Sequence, residues 1–151
     1  MATFSSIMFD FMPHFFYSQL FITPPKPTTS CTGKTVIVTG ANTGLGKEAA
    51  THFVRLDAAK VILACRSLDK GEAAARDIEA QTGRKGVVEV WQLDLGSFES
   101  VKAFAERAKG LKRVDILVEN AGINTEEFRL VEGIESTVTV NVWVPPRPFR
   151  W

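Results

Sequence analysis

Between Lys34 and Val118, short runs of β-branched and other apolar residues alternate with longer stretches in which apolar residues return every three or four positions. Thr35-Val36-Ile37-Val38-Thr39 is apolar on both faces and predicts a strand buried in a parallel sheet. Leu45, Ala49, Phe53 and Leu56 then recur at helical spacing and predict a helix with those four on its core face. Lys60 to Cys65 predicts a second strand, and 69–82 a helix with Ala74 and Ile78 inward, ended by Gly83. A third strand is expected over 87–93. A helix capped by Ser97 follows, with Val101, Phe104, Ala105 and Ala108 inward, and a fourth strand over 114–118. Strictly alternating strands and helices imply an α/β fold, a doubly wound parallel sheet with helices on both faces.

The turn from the first strand into its helix carries Thr39-Gly40-Ala41-Asn42-Thr43-Gly44-Leu45-Gly46. Glycines let the chain turn sharply and bring backbone N–H groups close to a ligand, and a helix N-terminus adds unpaired donors with partial positive charge. This is the chemistry of a diphosphate cradle. An ATPase-type P-loop needs G-x4-G-K-S/T. Counting back from Gly46-Lys47 puts Ala41 at its first glycine and Glu48 at its hydroxyl position, so that motif is excluded. Lys47 is expected to be a solvated first-turn residue.

The spacing Thr-Gly-x3-Gly-x-Gly after a strand resembles the cofactor signature of the short-chain dehydrogenase/reductase family. Asp94-Leu95 after the third strand resembles that family's adenine-contacting Asp. Asn120-Ala121-Gly122 resembles the end of its Asn-Asn-Ala-Gly motif, and Asn141 matches the structural and catalytic Asn of its next helix. The resemblance runs from about Gly33 to Asn141. The aromatic, Pro-rich lead-in is similar to some fungal members. It implies a Rossmann-type sheet of order 3-2-1-4, and cofactor contacts by Gly40, Asn42, Thr43, Gly44, Leu45, Gly46, Asp94, Leu95, Asn120, Ala121 and Gly122. Two positions depart from the family. Glu119 replaces an Asn that can donate as an amide does, and Asp57 stands where a Gly usually takes a left-handed turn.

NAD recognition usually places an acid about 20 residues past the glycines. This chain has Arg66 there, with Lys70 one turn further and Asp69 as an early helix residue. A guanidinium can fork onto the 2′-phosphate of NADP(H), so the expected cofactor is NADP(H). A plain surface arginine is the competing reading of Arg66, as a strand-end turn is for Asp94.

Family chemistry uses a Tyr whose pKa is lowered by a Lys four residues on, with a Ser polarising the carbonyl; an unperturbed tyrosine titrates too high to act at neutral pH. The single tyrosine, Tyr17, precedes the nucleotide fold and is followed four residues later by Phe21. Asn141 alone of the family's catalytic set is present, by resemblance. After it come Pro145, Pro146 and Pro148, which would stop a helix near Trp143. The fourth strand is expected to have an unpaired outer edge. Three functions stay open: an NADP-dependent oxidoreductase of a carbonyl or alcohol metabolite, truncated and inactive as this chain; a non-catalytic NADP-binding protein; and a non-functional truncated product.

Net charge +1 with scattered basic residues argues against nucleic-acid partners. An apolar share of 45% and a charged share of 23% suit a globular chain. Cys31 and Cys65 form no metal or disulfide motif, and a cytoplasmic setting is expected. No His, including His14 and His52, has metal-ligand spacing. Residues 1–25 are crowded with Phe but broken by Asp10, Pro13 and His14, so neither a membrane span nor a signal peptide is expected. They form either an arm packed on the domain or an aromatic membrane contact. The organisation expected is an arm and Pro-rich linker (1–32), the N-terminal half of a dinucleotide-binding domain (33–143) and a divergent tail (144–151).

Overall fold

The structure, a computed structural model, describes residues 4–23 and 25–142, with side chains from residue 11 onward. The tail expected over 144–151 lies outside the described residues. The elements are α1 (Phe4–Phe21), β1 (Thr35–Thr39), α2 (Gly44–Arg55), β2 (Lys60–Cys65), α3 (Leu68–Thr82) and β3 (Val88–Gln92). They continue with α4 (Phe98–Lys109), β4 (Ile116–Val118), β5 (Leu130–Val131), β6 (Ile134–Glu135) and α5 (Ser136–Asn141).

Four parallel strands lie in the order β3-β2-β1-β4, the order expected. β1 sits between β2 and β4 in the sheet, and Val36, Ile37 and Val38 are fully buried on both of its faces. Burying each such side chain contributes about 1.5–3 kcal/mol, which is why this strand reads as an unbroken apolar run. One core cluster joins Val36, Val38, Val61 and Leu63 to α2 and α3; a second joins Ile37, Ile62 and Ala64 to Trp91 and α4. The sheet is thus covered on both sides. β4 is shorter than expected, and among the described residues it pairs only with β1.

The core face of α2 differs from the expected one. Gly46, Ala50, Thr51 and Val54 are buried, Phe53 and Leu56 flank the core, and Leu45 is 83% exposed. Small residues let the helix axis approach the sheet closely, so the stripe rotates toward them and Leu45 swings into solvent.

The N-terminal segment, expected as an arm packed on the domain surface or as an aromatic membrane contact, is helical. From Phe11 to Phe21 its described rings are 42–72% exposed. Ring pairs at i,i+4, Phe11 on Phe15 and Tyr17 on Phe21, support the helix along its own length despite Pro13 within it. No helix of the described residues is long and apolar enough to cross a membrane.

Candidate nucleotide site

The carboxyl ends of β1, β2 and β3 open into a crevice of about 580 Å³, in the size range of small-molecule sites. Gly40 and Asn42 come to its wall from the β1 loop, Ala64 to Arg66 from β2, Asp94 to Gly96 from β3, and Ala121 and Gly122 from the loop after β4. Residues from all four segments expected to contact cofactor therefore meet at one edge of the sheet. This is the place where open α/β sheets bind ligands.

The β1 loop is shaped by lack of space. Gly40 has φ +64° and backs onto Ala121, where a Cβ would lie 2.9 Å from the Ala121 Cα. A Cβ on Gly46 would lie 2.5 Å from Asn120 Nδ2 and 2.7 Å from the Gly40 carbonyl. Gly44 has φ +57° with open space beside it, so its glycine answers to conformation alone. Beneath the loop, Thr39 acts as a knot that sequence reasoning missed. Its Oγ1 accepts hydrogen bonds from the Asn120 and Ala121 amides, both at 3.0 Å. Asn120 Nδ2 donates to the Thr39 carbonyl at 3.0 Å. The Asn120 side chain thus holds the loop from behind instead of facing the crevice.

Four helices follow the strands, and their first turns differ. Ser67 caps α3, Ser97 caps α4, and the Glu135 carboxylate accepts from the Thr137 and Val138 amides of α5. Those amide bonds hold the Glu135 carboxyl below the usual range, the Thr137 bond first. At α2, Thr43 takes the N-cap conformation but its side chain makes no capping bond. The first-turn donors of α2 are left for something else.

Arg66 is exposed on the crevice wall. Lys70 lies one turn into α3, exposed and off that wall, and its amide serves the Ser67 cap at 3.5 Å. Asp94 performs the turn role that competed with an adenine contact, since its Oδ1 accepts from the Gly96 amide at 2.9 Å. Its other oxygen carries no such bond, so the turn and a ligand contact are compatible. Cys65, at the crevice floor, is buried, and burial pushes its thiol up. Lys47 is less solvated than expected, because it pairs with Asp77 on α3.

Asn141 is fixed by a two-way bond to one backbone unit. Its Oδ1 accepts from the Ile123 amide and its Nδ2 donates to the Ile123 carbonyl, each at 2.8 Å. It lines a smaller apolar pocket of about 190 Å³ with Glu119, beside β4. Asp57 takes the left-handed turn its position demands, at φ 68°. The segment from Ile123 to Val131, which adds Asn124, Thr125, Glu127 and Arg129 to the crevice, carried no periodic signal in the sequence. No group of three His, Cys, Asp or Glu able to hold a metal occurs among the described residues.

The short chain dehydrogenase family profile matches residues 34–144. The chain belongs to the short-chain dehydrogenase/reductase family. It is 55% identical to the short chain dehydrogenase/reductase dmxR8 of Cryptosporiopsis sp. over 130 residues, which cover 85% of this chain and 40% of that protein. It is 50% identical over 128 residues to the short-chain dehydrogenase anuD of Penicillium roqueforti, covering 85% and 33% respectively. This family member thus spans about two fifths or less of the length of these relatives. Among solved structures, a Shigella flexneri chain complexed with NADP superposes with a TM-score of 0.55 at 32% identity, over 64% of this chain and 41% of that one. Oxidoreductases of this family use a nicotinamide dinucleotide.

Proposed function

We propose that this chain binds NADP(H) in the crescent from Gly40 to Gly122, as the nucleotide-holding part of an oxidoreductase acting on a carbonyl or alcohol group. One observation carries the reading. The helix that follows the glycine turn starts without a side-chain cap, whereas α3, α4 and α5 each have one. Free amides at a positive helix end suit a diphosphate. The turn also leaves open space beside Gly44, where a diphosphate can approach the backbone closely. Asn42, Thr43 and Leu45 present backbone to the same turn. Asp94, with Leu95 beside it, faces the adenine, and Arg66 takes the 2′-phosphate with Lys70 adding positive potential.

The dinucleotide supplies hydride when bound. The proton has to come from elsewhere, and within these 151 residues no Tyr-x3-Lys pair exists. Tyr17 lies exposed on α1, outside the crevice. Asn141, spent on Ile123, positions the β4 loop. A non-catalytic NADP-binding role for these residues is the second reading. Two free cysteines suit a cytoplasmic setting.

The test is titration of the chain with NADPH and with NADH, followed by nucleotide fluorescence. NADPH is expected to bind roughly ten- to hundredfold tighter, the value of one charge-assisted contact of about 1.5–3 kcal/mol. Arg66→Ala should shrink that margin by about tenfold. Equal affinities in the unmutated chain would remove Arg66 from the site.

A further inference from the structure

We infer that Arg129 is a second determinant of cofactor choice, reaching the adenosine 2′-phosphate from the same crevice that Arg66 lines. The inference rests on the nucleotide reading above.

The loop after β4 does not leave the crevice once it has passed Gly122. It returns along the rim, and Arg129 lines the same cavity as Arg66, Asp94 and Gly96. No ion pair is made by either arginine among the described residues. The carboxylates on this wall are Asp94, one oxygen of which is held by the Gly96 amide, and Glu127.

Arg129 stands at the root of a hairpin that is fixed to the β3 side of the crevice. Its carbonyl accepts from the Ser136 amide at 2.8 Å, and Leu130 pairs with Glu135 directly after it. Glu132, at φ 54°, reaches over to the start of α4, where its Oε1 accepts from the Phe98 amide at 3.1 Å. Val131 packs against Gly96, 3.5 Å from the position of a Cβ there, and Thr139 Oγ1 donates to the Val131 carbonyl at 3.2 Å. These bonds tie the hairpin to the turn that follows Asp94. That turn faces the adenine end in the reading above, so Arg129 is delivered to adenosine. Two forked cations lining one crevice suit a dianionic phosphate better than one, because each can occupy different oxygens.

The probes are 2′,5′-ADP and 5′-ADP, which differ only in the 2′-phosphate, with affinities measured by calorimetry on the chain. Arg129→Ala should weaken 2′,5′-ADP by about tenfold and leave 5′-ADP nearly unchanged. Arg129→Lys, which keeps the charge and guards against a folding defect, should recover part of the loss. A change that is the same for both probes would overturn the assignment to the 2′-phosphate, as would no change at all. If the unmutated chain binds neither probe, the nucleotide reading itself fails and takes this inference with it. If it binds both and only the Arg129 variants are silent, the nucleotide reading stands and this inference falls.

Discussion

The turn after β1 and the long connection after β4 meet at the same crevice and are built on opposite principles. The β1 turn is defined by side chains that are missing. Gly40, Gly44 and Gly46 make the bend and the close approach, and Thr43 leaves the α2 amides uncapped. The β4 connection is defined by side chains that are spent. Asn120 holds Thr39, Asn141 clasps Ile123, Glu132 holds α4, and Glu135 caps α5. A backbone donor can serve a ligand only if the protein has not already used it. The first turn keeps its donors free at the cost of conformational freedom in the glycines. The second consumes most of its polar groups to hold a wall, and among the described residues Arg129 makes no ion pair.

The largest effect is expected where the first principle is broken. Gly46→Ala should cost about 1–3 kcal/mol, because the new methyl meets the Asn120 amide and the Gly40 carbonyl, and backbone cannot give way cheaply. Nucleotide binding should vanish with it. Urea unfolding and NADPH titration read the two effects separately. Intact binding with lowered stability would show that the turn is packed tightly for the fold alone.

A smaller loss should follow when the second principle is broken. Asn141→Ala removes both bonds to Ile123, and the net cost is about 1–2 kcal/mol in urea unfolding. Hydrogen exchange should quicken at Ile123. If the β1 turn loosens equally, the two regions are not separable.

How much of this contrast was legible follows the same division. The glycine turn is written in the sequence because sterics leave few alternatives to Gly at Gly40 and Gly46. That β1 and β2 are buried parallel strands was legible because both their faces are apolar, whereas the strand order came with the family resemblance. The α2 face was misread because Leu45 is the one large apolar residue in its first turn, yet the helix packs through Gly46, Ala50 and Thr51. The β5–β6 hairpin escaped because two-residue strands are too short to show alternation, and their positions depend on bonds to distant residues such as Phe98. Thr39 reads as one more strand residue, since its bonding partners lie some eighty positions away. The roles given to Arg66 and Asp94 rest on the family resemblance together with their place on the crevice wall.

The smallest expected effect is one of pH. The Thr137 and Val138 amides hold the Glu135 carboxyl below its ordinary range. The folded pKa is depressed, so this cap stabilises fully above the ordinary glutamate value of about 4.3 and is lost as pH falls through the lower folded value. The gap in melting temperature between the chain and Glu135→Ala should be open at neutral pH and close in acid. A gap independent of pH would mean that Glu135 acts by packing, with no contribution from its charge.

Amide resonances of the labelled chain, followed while NADPH is added, test the central claim most directly. The backbone amides of Gly44 to Gly46 are expected to move first and furthest, while the capped first turns of α4 and α5 barely respond. Saturable binding that shifts those capped turns and leaves the glycine turn untouched would contradict it.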